Sequence, residues 1–177
     1  KIAPRKYNKS KYDHPRLVIP FYDETGKVFA YQGRAFGNET PKYVTIKLDE
    51  NKQKIYGLER VNFTKHIYVT EGPLDSLFLD NCIAAGGADL TLDSKINPEK
   101  VTYIFDNEPR NKEIIQRMEK IIDLGYNIFI WPEDIQLKDV NDLIMTGVSK
   151  LQLDEIISIN TYSKLSAKQA LVNFKKI

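Results

Sequence analysis

Two segments of the chain, Tyr68-Val69-Thr70-Glu71-Gly72-Pro73-Leu74-Asp75-Ser76 and Tyr103-Ile104-Phe105-Asp106-Asn107-Glu108-Pro109-Arg110, follow one pattern that leaves few folds open. In each, an apolar β-type run ends on an acid, passes through a turn containing Pro, and enters a stretch with helical periodicity. The rhythm of strand and helix runs on from Lys65: strands are expected at 66–69, 82–85, 101–105 and 127–131, and helices at 73–79 and 109–124. Ile114, Ile115, Met118, Ile121 and Ile122 fall on one face of the second helix, and Gly125 ends it. Asp89 or Thr91 would cap a short helix before residue 101. Such alternation specifies a parallel sheet flanked by helices, whose ligands lie outside the carboxyl ends of the strands. Glu71, Asp75, Asp106 and Glu108 are therefore expected to converge.

Converging carboxylates repel one another. At ~4 Å and an effective dielectric near 20 a pair costs roughly 4 kcal/mol, so the cluster calls for a cation or raised pKa values. Hard oxygen donors without His or Cys point to Mg2+ or Mn2+. The plainer reading of Glu71 and Asp75 is that they face the positive end of the helix after Pro73; the recurrence at Asp106-x-Glu108 favours metal. A third acidic element, Lys138-Asp139-Val140-Asn141-Asp142, follows the last predicted strand. Asp139 with Asp142 three positions on is a helix-capping pattern, and both acids are also candidate ligands.

Upstream, 16–22 and 27–32 flank Asp23-Glu24-Thr25-Gly26 as a β-hairpin, and 43–46 and 54–57 are further strand candidates. The basic residues Lys1, Arg5, Lys6, Lys9, Lys11 and Arg16 form an arm that touches nucleic acid or is a solvated tail. Two helices are expected at 151–157 and 163–174. The division is thus a basic arm or linker at 1–14, a β-rich lobe at 15–63, an α/β domain at 64–147 and a helical segment at 148–177. Hydrophobic residues at 42% and charged residues at 28% suit a globular chain. The single Cys82 lies in an apolar run and reads as core, so no disulfide framework and no zinc are expected. No apolar run reaches the ~20 residues of a membrane span, which makes a cytoplasmic location the expectation. The first residue is Lys1, and the chain is read as a piece of a longer protein.

EGPLD, the downstream Gly86-Gly87, the acidic pair in DNEPR and the terminal KDVND resemble the toprim domain of bacterial-type primases, topoisomerases and some nucleases. RLVIPFYDETGKVFAYQGRAF, PKYVTI and KIYGLERV extend the resemblance upstream to the RNA polymerase core of a bacterial-type DNA primase, with the phrasing nearest to primases of T-even-type bacteriophages. It runs from about Pro15 to about Gly147. The fold implied is α/β (α+β overall): a Rossmann-like toprim sheet flanked by helices, preceded by a small β lobe and followed by a helical tail. By that resemblance Glu71, Asp75, Asp106 and Glu108 are catalytic. Glu71, Asp106, Glu108, Asp139 and Asp142 hold metal, with two Mg2+ or Mn2+ ions implied. Arg34, Lys42, Tyr43, Lys54, Arg110 and Lys138 contact nucleotide or nucleic acid. For Arg34, Lys42 and Lys54 the residues alone equally allow a solvated β surface, and for Tyr22, Tyr31 and Tyr43 simple packing. Glu108 is longer than the usual second Asp, and Asn141 stands where relatives often carry Asp.

The implied activity is synthesis of short RNA primers on single-stranded DNA from NTPs by nucleotidyl transfer during replication, in a phage-infected bacterial cytoplasm. Its partners would be template, NTPs, the RNA primer and a hexameric replicative helicase, with no membrane. A toprim nuclease using the same acids, and a non-catalytic DNA-binding scaffold, are the alternatives; a topoisomerase would need a nucleophilic Tyr in a separate domain.

Overall fold

The computed structural model describes residues 14–85 and 96–177. The proposed arm up to residue 13, Gly86-Gly87 and the capping residues Asp89 and Thr91 lie outside them. The first sheet is antiparallel, in the order β1 (Arg16–Tyr22), β2 (Val28–Ala35), β3 (Tyr43–Lys47). Its first turn forms because Asp23 Oδ1 accepts from the backbone N–H groups of Thr25 and Lys27, both at 3.0 Å, while Gly26 takes the left-handed conformation at φ +79°. Lys52 reaches back to the other carboxylate oxygen, and with Thr25 it holds the Asp23 carboxyl well below the usual range. Ile19, Phe21, Phe29 and Ala30 are buried together, with Tyr56 and Leu74 packed on them.

The second sheet has the order β5-β4-β6-β7-β8, with β4 (Ile67–Thr70), β5 (Cys82–Ala84), β6 (Val101–Ile104), β7 (Asn127–Phe129) and β8 (Thr161–Tyr162). The first four are mutually parallel and β8 runs antiparallel to β7. Strands β5 and β6 are buried at every residue, as a sheet covered on both faces requires. Helix α1 (Lys112–Asp123) starts where the Asn111 side chain accepts from the N–H groups of Glu113 and Ile114, and it stops before Gly125 at φ +85°. Its five predicted apolar residues are all buried. Helices α2 (Val140–Met145), α3 (Lys150–Ile159) and α4 (Lys164–Phe174) complete the chain. No helix among the described residues is long and apolar enough to cross a membrane.

Three local expectations change. The helix predicted at 73–79 is a single 3-10 turn, Asp75–Phe78, because Leu79 is already extended and Asn81 turns the chain into β5 at φ +49°. The strand predicted at 54–57 reduces to one bridge, in which Tyr56 and Ala84 exchange backbone bonds of 2.9 and 3.0 Å; Gly57, at φ +91°, breaks the extended run. The parallel sheet also gains an antiparallel edge, since β8 was not predicted.

Candidate functional site

Strand β4 delivers Glu71 to the carboxyl edge of its sheet and the neighbouring β6 delivers Asp106 beside it. The Asp106 N–H donates to Glu71 Oε2 at 2.9 Å, and Arg117 Nη1 on α1 donates to Glu71 Oε1 at 2.6 Å. Both oxygens of Glu71 are thereby oriented, and its side chain is only 16% exposed. The turn beyond Glu71 folds Asp75 inward under Gly72. A Cβ at position 72 would collide with Asp75 Oδ2, so the turn demands glycine for close approach.

Asp75 is buried, and its Oδ1 accepts from the Asn141 N–H at 3.0 Å at the start of α2. Burial pushes its pKa up to about 6; Asp139 adds to the rise, while the Asn141 N–H and Arg34 oppose it. Asp106 is pushed up to about 7, first by burial and then by the charge of Glu71, with smaller contributions from Asp75 and Asp139. Lys138 sits between Asp106 at 3.5 Å and Glu108 at 3.1 Å. Glu108 titrates below its usual range because Asn111 Nδ2 donates to it at 2.6 Å and Lys138 lies alongside. Asp139 caps α2, accepting from the Asp142 N–H at 2.8 Å, and Asp142 itself is exposed.

The segment carrying Lys138 and Asp139 is held by a residue that stands between the two acids of the β6 turn. Asn107 Nδ2 donates to the carbonyls of Ile135 at 2.8 Å and Leu137 at 2.9 Å, and its backbone N–H donates to Lys138 O at 2.6 Å. The antiparallel sheet contributes a second wall. Arg34 and Tyr43 are paired across β2 and β3, the guanidinium lying 5.8 Å from the ring centre and Lys42 Nζ 6.0 Å from it. The Tyr43 hydroxyl, held above its normal pKa mainly by burial, also feels Asp75, Asp139 and Asp106. Arg34 and Tyr43 therefore share the field of the acids.

The structure thus gathers Glu71, Asp75, Asp106, Glu108, Lys138 and Asp139, with Arg34 and Tyr43 facing them and Lys42 beside Tyr43. It leaves Asp142 and Arg110 exposed at the margin. Lys54 stands apart: its environment is set by burial, which lowers its pKa, and by Lys47. Among the described residues no three His, Cys, Asp or Glu side chains are drawn close enough to form a metal cage by themselves. Arg117 and Asn107 were missed from the sequence. Arg117 had a signal, since it lies three residues after Ile114 and four before Ile121, at the edge of an apolar helix face where a cation needs a partner.

No family model matches the chain. Its sequence is 41% identical over 179 residues to the DNA primase of Enterobacteria phage T4, covering 99% of this chain and 52% of that protein. The chain thus spans about half the length of that relative. Its fold matches the zinc-binding and RNA polymerase domains of the Aquifex aeolicus primase with a TM-score of 0.64 at 22% identity, over 84% of this chain and 41% of that one. It likewise matches a DnaG primase catalytic domain solved with single-stranded DNA, with a TM-score of 0.64 at 17% identity over 90% of this chain and 55% of that one.

Proposed function

We propose, for a chain homologous to the phage T4 DNA primase along 99% of its length, that its acid-lined crevice joins ribonucleotides into primers on a single-stranded DNA template. The observation that carries the reading is the meeting of two sheets: acids from the carboxyl ends of β4 and β6 share their field with Arg34 and Tyr43 from β2 and β3. An acid cluster alone fits many phosphoryl-transfer reactions. The added cation and aromatic ring suit a nucleoside triphosphate, whose phosphates and base need different partners.

The donor set fits a hard divalent cation. Asp106 and Asp75 carry raised pKa values because burial and neighbouring acids outweigh the positive charge that Lys138 brings to Asp106 and Arg34 brings to Asp75. We assign Glu71, Asp106 and Glu108 as the principal holders of Mg2+ or Mn2+, with Asp75, Asp139 and Asp142 in support. Such ions, when bound, activate an attacking 3'-hydroxyl and stabilise departing pyrophosphate. Arg117 keeps Glu71 aimed, Asn107 keeps Lys138 and Asp139 in place, and Arg34 with Lys42 and Lys138 neutralises phosphate. Arg110 on the exposed margin and Lys54 are assigned to the path of nucleic acid. The two sheets bury separate apolar clusters, with Ile55 in the larger one, Leu58 and Val61 packed on it, and Leu74 against the smaller; we also propose a division near residue 64 and a helicase-contacting role for residues 148–177.

The test is de novo dinucleotide synthesis from NTPs on single-stranded DNA with Mg2+ or Mn2+. Product that disappears in Glu71→Gln and Asp106→Asn supports the reading. Nicking of DNA without synthesis would assign the same acids to a nuclease, and DNA binding unaffected by both substitutions, with no synthesis by the unaltered chain, would leave a scaffold.

A further inference from the structure

Asn107 belongs to two surfaces. Flanked by Asp106 and Glu108, it also lines a groove of about 430 Å3 between residues 130–136, the start of β8 and one stripe of α4. That volume falls within the roughly 300 to 1,000 Å3 of small-molecule sites. The α4 stripe is Ser166, Gln169, Ala170 and Asn173, while Ala167 and Leu171 of the same helix turn into the core. Such spacing puts four small or amide side chains in one row.

The chemistry of the wall is unusual for its neutrality. Apart from Tyr162, its ionisable side chains are Glu133 and Lys176, which lie 3.8 Å apart. Asn107, Gln136 and Asn160 spend amide donors on backbone carbonyls, at 2.8 and 2.9 Å for Asn107, 2.6 Å for Gln136 and 2.8 Å for Asn160. With both N–H groups of the Asn107 amide and one each of Gln136 and Asn160 engaged, the three amide planes are fixed and their carbonyl oxygens held in place as acceptors. The side chains of Gln169 and Asn173, both exposed, form no hydrogen bond among the described residues and offer both donor and acceptor. A phosphate would find one cation, already paired; an apolar peptide would leave the amides without partners. A flat heteroaromatic ring with donors and acceptors on its edge meets both amides and the half-buried apolar side chains of Pro132, Ile135 and Tyr162.

We propose that this groove is a nucleobase-binding site beside the acid cluster and separate from it. The base arrives on a free nucleoside or nucleotide, or is turned out from a single strand; both present the same edge. Its position at the carboxyl ends of β6 and β7, sharing Asn107 with the acids, places a bound base next to the chemistry. The assignment does not depend on primer synthesis.

The experiment is an NMR titration of the whole chain with adenosine, guanosine, cytidine and uridine, and separately with short single-stranded oligonucleotides. Saturable shifts of the Gln169 and Asn173 side-chain amides are expected. Titration by a nucleoside identifies a free ligand; titration by oligonucleotides alone identifies a base from a strand. Binding weakens at least tenfold in Gln169→Leu/Asn173→Leu and in the isosteric Gln169→Glu, while Glu71→Gln/Asp106→Asn leaves it unchanged. No shift with any probe, shifts that persist in the α4 variants, or shifts lost with the acid-site variant would overturn the proposal. None of these readouts requires catalysis, so failure of the synthesis assay leaves the result standing.

Discussion

Asp106 carries an electrostatic cost, set by burial and the charge of Glu71. Its pKa of about 7 lies above the ~3.9 of an unfolded Asp, so between those values the folded chain holds a proton that the unfolded chain releases. Stability from this group is therefore present at low pH and is lost as pH rises through about 7. Asp106→Asn removes the buried charge and should raise stability at pH 8 by about 1 to 3 kcal/mol, with little change at pH 4, while abolishing synthesis. Thermal melts at the two pH values check the sign. Cations require the deprotonated carboxylate, so stabilisation by Mg2+ should fade below pH 7 and be absent in the variant. At Gly72 the cost is steric: Gly72→Ala drives a methyl into Asp75 and should destabilise by about 1 to 3 kcal/mol, read by denaturant unfolding.

At the scale of elements, the segment after β7 shows how a site is built on an anchored loop. Asn107→Ala removes both side-chain bonds to the Ile135 and Leu137 carbonyls. It should cost about 1 to 2 kcal/mol, lower the synthesis rate some tenfold, and speed hydrogen exchange at residues 135–139 while leaving α1 protected. The elements legible in the sequence were those whose own pattern suffices: α1 with its apolar stripe and Gly125, and the hairpin with Asp23 and Gly26. Strand β8 was not legible because Thr161 and Tyr162 carry no pattern and become a strand only by pairing with Ile128 and Phe129. The turn at Asp75–Phe78 was misread as a longer helix because its apolar residues match helical spacing, whereas its length is fixed by how soon β5 must begin. Acids at strand ends could be placed from sequence; Asn107 could not, since its partners are carbonyls 28 and 30 residues away.

In the molecule as a whole, ties between the two sheets among the described residues include the bridge between Tyr56 and Ala84, Leu74 against the smaller apolar cluster, and Arg34 with Tyr43 in the field of the acids, in that order. The first two fix where the third can sit. Through Arg34 the smaller sheet acts on the acids, because its charge opposes the rise in the Asp75 pKa. Arg34→Ala should raise the KM for NTPs about tenfold and also raise the Asp75 pKa further above 6. The limb of the Asp75 titration, followed by its carboxyl 13C shift because Asp106 with its pKa of about 7 sets the acidic limb of the rate itself, then moves to higher pH. Arg34→Lys keeps the charge but not the fork, so it should restore the limb more fully than the KM. A rise in KM with an unmoved limb would confine Arg34 to phosphate contact, and melting temperatures matched to the unaltered chain would separate either result from unfolding.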